Sequence, residues 1–199
     1  MIAILILAAG RSRRMRGTDK LAQCINGVPM LRRIASEAAR VGQTYVALPI
    51  QDSNDRLAML DGLAVTPLPI PESAEGQSAT LRGAMTRLPA CDAVLVVLAD
   101  LPRITAGDMQ AVLDARKRHP DALIWRGATA DGRPGHPILF DAALRPLFAE
   151  LTGDDGGAAV VRPRRDRTVL IPFSDDRALF DLDTPEDWAA YRASGDEQA

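Results

Sequence analysis

Residues 2–20, IAILILAAGRSRRMRGTDK, join an apolar run to a loop that carries four arginines and one lysine. A short, continuous and isoleucine-rich run is typical of a strand that is covered on both faces of a parallel sheet. The cations of the loop repel one another unless an anion lies among them. The stretch therefore predicts a central strand followed by an anion-binding loop.

Length, charge and cysteine content narrow the class of protein. With 199 residues, 47% of them hydrophobic, the chain can bury one substantial core, and we expect one domain over residues 1–199. A net charge of −2 gives no global attraction to nucleic acid or to an acidic membrane. Cys24 and Cys91 have no metal-binding or redox spacing, and the first apolar run is too short to span a bilayer. We therefore expect a cytoplasmic protein with neither nucleic acid nor a membrane as partner.

Apolar patterns along the chain predict strands that alternate with helices. We predict strands over 2–8, 44–50, 92–100, 122–126, 136–140, 168–173 and 178–182. We predict helices over 29–42, 52–63, 79–88, from Thr105 to about Arg118, and from Thr184 onward. Such alternation indicates an α/β fold with a mostly parallel sheet, whose ligands bind beyond the carboxyl ends of the strands. If strands 2–8 and 92–100 are neighbours, the arginine-rich loop and Asp100 face one crevice.

The loop after the first strand differs from three well-known motifs. It is not a P-loop, because Met15 and Leu21 stand where that motif needs glycine and Ser or Thr. It is not a dinucleotide fingerprint, because Ser12 replaces the second glycine. It is not a nucleophile elbow, because Arg14 stands at the place of its second glycine. A solvated arginine-rich loop is the alternative to an anion site.

Five stretches, in chain order, resemble one family of enzymes. They are LAAGRSRRMRGTDKL (7–21), EGQSATLRGAM (75–85), LADLP (98–102), GRPGHPILF (132–140) and DLDTPEDW (181–188). Together they resemble nucleotidyltransferases of the nucleotide-diphosphosugar-transferase fold, and among these the molybdenum cofactor branch. The resemblance covers nearly the whole chain and implies a three-layer, Rossmann-like α/β fold that forms a single nucleotidyltransferase domain. The stretch 132–140 is most similar to molybdenum cofactor cytidylyltransferases, which join CMP from CTP to molybdopterin and release pyrophosphate.

Nucleotidyl transfer depends on positioning and charge neutralisation more than on covalent catalysis. The candidate catalytic residues are therefore Arg14 and Lys20, which would hold the triphosphate, and Asp100. Lys20 is one of only two lysines in the chain and would stabilise charge at the α-phosphorus and on the departing pyrophosphate. Arg11, Arg13 and Arg16 either contact phosphate or are solvated.

Mg²⁺ is the predicted cofactor, because it prefers carboxylate and phosphate oxygens. Asp100, after the strand 92–100, and Asp183, before the last helix, are the predicted ligands. Asp181 is the reserve ligand. The alternatives are that Asp100 belongs to an ordinary turn and that Asp183 is simply an acid at a helix N-terminus.

The resemblance also implies two binding pockets. The predicted nucleotide-binding residues are Leu7, Ala8, Ala9, Gly10, Ser12, Arg14, Lys20, Gly76, Gln77 and Ser78. Ser78 has the alternative role of capping the following helix. The predicted residues for the second substrate are Gly135, His136, Pro137 and Asp154. His136 has the alternative of being a strand-start histidine without a role.

Two positions depart from the pattern of the family. Arg16 makes the phosphate loop one residue longer than usual. In the stretch 151–161, Ala158 or Ala159 stands where the family has an arginine, and Arg162 or Arg164 is the candidate replacement.

Three functions follow from these observations. The first is a magnesium-dependent cytidylyltransferase that acts on CTP and molybdopterin. The second keeps the enzyme class but uses GTP, or another small phosphorylated acceptor. The third is a non-catalytic protein that binds the nucleotide or finished cofactor and delivers it to a molybdenum enzyme, which would then be a partner.

Overall fold

The computed structural model describes residues 1–51, 53–153 and 155–194, and its centre is a seven-stranded sheet. The strands are β1 (Ile2–Leu7), β2 (Cys24–Ile25), β3 (Val28–Pro29), β4 (Thr44–Pro49), β5 (Val65–Ile70), β6 (Ala93–Leu98), β7 (Ile124–Ala128), β8 (Pro134–Asp141) and β9 (Thr168–Pro172). Strands β2 and β3 form a separate antiparallel pair. The other seven have the order β5-β4-β1-β6-β8-β7-β9.

The sheet is mostly parallel, as the alternating pattern predicted. Strands β5, β4, β1 and β6 are parallel neighbours, and β9 is parallel to β7. Strand β8 runs antiparallel to both β6 and β7. The register pairs Leu7 with Leu98, so β1 and β6 end side by side. The arginine-rich loop and Asp100 therefore leave the sheet at the same edge.

Six α-helices accompany the sheet in the described part of the chain. They are α1 (Met30–Ala39), α2 (Asn54–Leu60), α3 (Gln77–Arg87), α4 (Ala106–Arg118), α5 (Ala158–Val161) and α6 (Pro185–Ala193). Helices α4 and α6 begin with capping boxes, formed by Thr105 with Asp108 and by Thr184 with Asp187. These are the starts that the sequence predicted. Among the described residues, no helix combines the length and the apolar character that crossing a membrane requires.

Two apolar cores lie on opposite faces of the sheet and make the molecule three-layered. On one face, α1, α4 and α6 pack against the strands, with Leu31, Val112 and Trp188 buried. On the other face, α3 and the segment 142–161 pack, with Leu81 and Phe148 buried. Because both faces are covered, the central strands are apolar along their whole length.

Two predictions of regular structure were incomplete or wrong. The stretch 178–182 is not a strand. It crosses the sheet edge, where Ala178 O accepts from His136 N at 2.8 Å and Leu182 N donates to Asp100 O at 3.3 Å. The unpredicted strand β5 contains Pro67 and Pro69, which an edge strand tolerates because one side of it has no partner strand.

Candidate active site

A cleft of about 490 Å³ opens at the edge of the sheet where β1 and β6 end. We call it the main cleft. The loop after β1, the segment before α3 and the end of β6 form its walls. Seven of the predicted nucleotide-binding residues line it: Leu7, Ala8, Ala9, Gly10, Lys20, Gly76 and Gln77. Thr80, which the sequence analysis missed, joins them from the first turn of α3.

Lys20 lies at the rim of the main cleft between two carboxylates. Its Nζ donates to Asp100 Oδ2, and to Asp183 Oδ1 at 2.6 Å. All three side chains are less than one-fifth exposed. Burial disfavours the ammonium form, but Asp100 and Asp183 outweigh burial and raise the pKa of Lys20. The structure thus brings the predicted catalytic lysine and both predicted metal ligands together.

The two carboxylates can accept a hard divalent cation. Asp100 Oδ1 is buried and has no hydrogen-bond partner among the described residues. Burial and the charges of Asp183 and Asp100 raise the pKa of Asp181, which places a third acid nearby. No group of three or more metal-binding side chains suited to a metal ion occurs in the described ranges. The donor set therefore fits an ion such as Mg²⁺, which takes one or two carboxylates and completes its shell with phosphate oxygens and water.

The four arginines of the loop have different surroundings. Arg11 and Arg13 line the main cleft. Arg14 does not line the cleft and pairs with Asp183 Oδ2. Arg16 pairs with Glu186 at 2.7 Å on the open surface, which agrees with a solvated role.

Ser12 belongs to the internal bonding of the loop. Its Oγ donates to Asp19 Oδ1 at 3.0 Å and accepts from Lys20 N at 3.1 Å. Asp19 also accepts from Leu21 N at 3.1 Å. Ser12 has a φ of 47° and Arg16 a φ of 51°, so the chain turns back through left-handed conformations. The Ser12 hydroxyl therefore holds the loop closed. Ser12 lines an adjoining cleft of about 1010 Å³, which shares Gly10, Arg11 and Arg13 with the main cleft, so its nucleotide contact stays a prediction.

Arg56 of α2 is a site residue that the sequence analysis missed. Its guanidinium donates to Ala8 O, to Gly10 O at 2.8 Å, and to both carboxylate oxygens of Asp19 at 2.7 and 2.9 Å. The side chain is 7% exposed. Burial would raise the pKa of Asp19, but hydrogen bonds and charge from Arg56 outweigh burial and lower it. Arg56 therefore connects both ends of the loop that carries Lys20.

Ser78 does not cap α3, and its predicted nucleotide contact stays a prediction. It is buried, and its Oγ accepts from Gly156 N at 3.0 Å. Helix α3 begins at Gln77 with Gly76 as its cap, so Ser78 is not the N-cap. Its hydroxyl contacts the segment after β8 and not the main cleft. Ser78 therefore ties that segment to α3.

A second, smaller cavity of about 190 Å³ adjoins the main cleft, and His136 lines it. Burial, followed by the positive charge of Arg126, lowers the pKa of His136 to about 4. Its Nδ1 is buried without a hydrogen-bond partner among the described residues. Gly135 and Pro137 lie beside His136 in β8 but do not line the cavity. Asp154 lies outside the described residues.

Arg162 and Arg164, the candidate replacements for the arginine that the family has in the stretch 151–161, do not line either cavity. Arg162 pairs with Asp155 at 3.0 Å on the surface, and Arg164 donates to Val160 O at 3.0 Å. Neither is among the described residues that line the two cavities.

Gly135 is required by packing, and its replacement gives a direct prediction. A Cβ at this position would lie 2.2 Å from Ala178 O, so backbone would have to move. We expect Gly135→Ala to lower the free energy of unfolding by about 1–3 kcal/mol, as overpacking does. Gly107→Ala is the control, because its nearest new contact is at 3.6 Å. Urea unfolding of both variants measures the difference, and equal stabilities would contradict the packing role.

Two curated proteins are similar in sequence to nearly the whole chain. The chain is 30% identical over 201 residues to the "Probable molybdenum cofactor guanylyltransferase" of Synechococcus elongatus, covering 96% of this chain and 98% of that protein. It is 29% identical over 224 residues to the 2-C-methyl-D-erythritol 4-phosphate cytidylyltransferase of Salinibacter ruber, covering 96% of this chain and 92% of that protein.

Solved structures have a similar fold, and a family model matches most of the chain. The crystal structure of Rv0371c from Mycobacterium tuberculosis matches with a TM-score of 0.79 and 28% identity, over 95% of this chain and 96% of that one. A manganese complex of Rv0371c matches with a TM-score of 0.73 and 26% identity, over 97% of this chain and 98% of that one. The family model described as the MobA-like NTP transferase domain matches residues 4–169. The chain therefore belongs to the MobA-like NTP transferase family.

Proposed function

We propose that the protein transfers a nucleoside monophosphate from a nucleoside triphosphate to a molybdopterin-type acceptor. The observation that supports this most directly is Lys20, held between Asp100 and Asp183 at the rim of the main cleft. In the reaction, an oxygen of the acceptor phosphate forms a bond to the α-phosphorus of the donor. The bond from the α-phosphorus to the bridging oxygen breaks, and pyrophosphate leaves with that electron pair.

The cations of the loop supply the positive charge that this reaction needs. Lys20 is fully protonated near neutral pH, because its neighbours raise its pKa. Its ammonium would stabilise the charge that develops on the α-phosphate and on pyrophosphate. Arg11 and Arg13, which line the cleft, would bind the outer phosphates. Arg14 is held back by Asp183 and would reach a phosphate only by leaving it.

Asp100 and Asp183 would hold the divalent cation, which neutralises charge on the triphosphate when it is bound. The unpartnered Asp100 Oδ1 and the acidic surroundings support this assignment. The manganese complex of the Mycobacterium tuberculosis relative supports a divalent ion of this kind. Mg²⁺ is the ion we propose.

GTP is the donor that we propose, whereas the stretch 132–140 predicted CTP. The name of the Synechococcus relative supports GTP. Glu75 supports it too, because this residue lines the cleft and a carboxylate can accept from the N1–H and 2-amino donors of guanine. One of its oxygens pairs with Arg82 at 3.3 Å, which leaves the other for a base. Cytosine offers only one donor group at its corresponding edge. CTP is the second candidate, supported by the motif GRPGHPILF and by the cytidylyltransferase relative.

Thermal shifts with the four nucleoside triphosphates in Mg²⁺ test the choice of base. Bound ligand raises the unfolding temperature by mass action, so the tightest donor gives the largest shift at equal concentration. We expect GTP to give the largest shift and Glu75→Gln to reduce it towards the shift with CTP. Glu150→Gln is the control, because Glu150 does not line the main cleft. A larger shift with CTP would identify a cytidylyltransferase.

Pyrophosphate release with molybdopterin, Mg²⁺ and the preferred triphosphate tests the reaction itself. Release that depends on molybdopterin supports the transferase, and release with another phosphorylated acceptor alone would change the acceptor class. Tight binding of the finished cofactor without turnover under any nucleotide would favour the delivery protein. The altered stretch 151–161 motivates that third candidate. The single domain over residues 1–199 and the cytoplasmic location stay predictions.

A further inference from the structure

The second cavity lies beside the main cleft, on the face of the sheet that α3 covers. It shares Leu7, Gln77 and Leu98 with the main cleft. Residues of β6, β7 and β8 line it, together with part of the segment 155–161. A ligand there would lie next to the bound nucleotide and close to the end of β6, where Asp100 follows.

Arg126 gives this cavity a positive charge and has no carboxylate partner among the described residues. Asp155 also lines the cavity, but it pairs with Arg162 at 3.0 Å. Its Nε and Nη2 donate to Gly135 O at 3.1 and 3.0 Å, which orients the guanidinium. Its Nη1 makes no hydrogen bond to the described residues. The side chain is half-buried, and burial lowers the pKa of the guanidinium. A partly buried charge without a partner is costly unless a ligand supplies the opposite charge.

The described arginines of limited exposure have one of two kinds of partner. Arg56 and Arg116 have carboxylate partners, whereas Arg32, Arg33 and Arg145, like Arg126, donate to backbone carbonyls. Arg56 forms two hydrogen bonds to the carboxylate of Asp19. Arg116 pairs with Asp141 at 3.0 Å, at the far end of β8. Of the described arginines, Arg126 alone lines the second cavity.

The remaining surface of the cavity indicates the kind of ligand. Its walls are mostly apolar and include Leu81, Val96, Ile138, Phe140 and Val161. The imidazole of His136 is uncharged near neutral pH, because its pKa is about 4, so it adds no second charge. A cavity with apolar walls and one fixed cation suits a compact ligand that carries an anionic group.

We propose that the second cavity holds the acceptor through its phosphate monoester, and that Arg126 binds this phosphate. The inference rests on the proposed function, which needs an acceptor phosphate within reach of the α-phosphate of the donor. A guanidinium suits this task because its N–H donors match the spacing of phosphate oxygens. Gly135 O orients one side of the guanidinium and leaves Nη1 for the ligand. Neither sequence motif nor comparison assigns a role to Arg126.

Two fluorescent pterins that differ only in the phosphate test this proposal: neopterin 3′-monophosphate and neopterin. Fluorescence titration of the full chain, without nucleotide, measures both affinities. We expect the wild-type protein to bind the phosphorylated pterin roughly tenfold or more tightly, as a charged hydrogen bond provides. Arg126→Gln, which keeps a donor and removes the charge, should bind both pterins equally. Arg126→Lys, which keeps the charge, should retain part of the preference.

Arg133→Met is the matched control, since Arg133 lies on the adjacent β7–β8 hairpin and pairs with Asp131 in solvent. It should keep the wild-type preference. Circular dichroism establishes that each variant is folded. Equal affinities in the wild-type protein, no binding of either pterin, or an unchanged preference in folded Arg126→Gln would overturn the proposal. The proposal would also be overturned if Arg126→Gln showed a smaller rise in unfolding temperature with GTP but unchanged pterin binding. Arg126 would then contact the nucleotide and not the acceptor.

If the proposed function is wrong but the role of Arg126 is right, the experiments give a different combination of results. In that case no triphosphate releases pyrophosphate with molybdopterin, while the preference for the phosphorylated pterin and its loss in Arg126→Gln persist.

Discussion

Replacement of Asp100 by asparagine is expected to lower kcat/KM for pyrophosphate release by at least about 10²-fold to 10³-fold. The change keeps the shape of the side chain and removes its charge. It takes away one predicted metal ligand and one of the two carboxylates that hold Lys20. Steady-state measurement of pyrophosphate over a range of Mg²⁺ concentrations tests this expectation. The variant should also need more Mg²⁺ for half-maximal rate.

Asp131→Asn is the matched control for this experiment. Asp131 lies on the β7–β8 hairpin and is mostly exposed, so its loss should leave the rate unchanged. Thermal unfolding separates a catalytic effect from a loss of folded protein. A kcat/KM in folded Asp100→Asn within about threefold of wild type would remove Asp100 from the reaction.

Replacement of Arg56 by methionine is expected to lower the free energy of unfolding by about 3–5 kcal/mol, as breaking a buried ion pair does. It leaves the carboxylate of Asp19 without its main partner and two carbonyls, of Ala8 and Gly10, without a donor. Because these groups shape the loop that carries Lys20, nucleotide binding should weaken as well. Urea unfolding with linear extrapolation and the thermal shift with GTP measure the two effects.

The loss of unfolding free energy caused by Arg56→Met should become smaller at low pH. The folded pKa of Asp19 is lowered, so its ion pair stabilises the protein above the ordinary value of 3.8. This stabilisation disappears as the pH falls through the folded pKa. The difference between wild type and variant should therefore shrink below pH 3.8.

Arg32→Met is the control for Arg56→Met, because Arg32 also donates to two carbonyls, Met59 O and Asp61 O, but has no carboxylate partner among the described residues. It should cost less stability and leave the thermal shift with GTP unchanged. A stability of Arg56→Met within about 1 kcal/mol of wild type would contradict the role of Arg56 in the loop.

The strands and helices that the sequence predicted correctly are those that are determined by interactions between residues close together in the chain. The strands β1 and β6 follow from continuous apolar runs, and the starts of α4 and α6 from capping boxes. The meeting of Lys20 with Asp100 followed from one topological assumption, that β1 and β6 are neighbours. Strand β5 escaped prediction because its two prolines argue against a strand, and only its place at the edge permits them.

Arg56, which the sequence analysis missed, and Ser78, which it predicted in other roles, have hydrogen-bond partners far along the chain. Arg56 and Ala8 are 48 residues apart, and Ser78 and Gly156 are 78 residues apart. The sequence around Ser78 fits either a helix cap or a contact to a base. Neither pattern reveals that the Ser78 hydroxyl accepts a hydrogen bond from Gly156 N. Arg126, for which we propose a role, gives no signal in the sequence, because only the described part of the fold shows that its partner is the carbonyl of Gly135 and not a carboxylate.

The reversed direction of β8 places a short turn at the edge of the sheet that carries the main cleft. Because β7 is parallel to β6 and β8 runs back, the hairpin between them, residues 129–133, leaves and re-enters the sheet at the edge that carries the main cleft. A parallel crossover would have to traverse a face of the sheet, whereas this turn can lengthen without disturbing either core. The length of this turn is therefore independent of the loop that carries Lys20, which leaves the sheet at the end of β1.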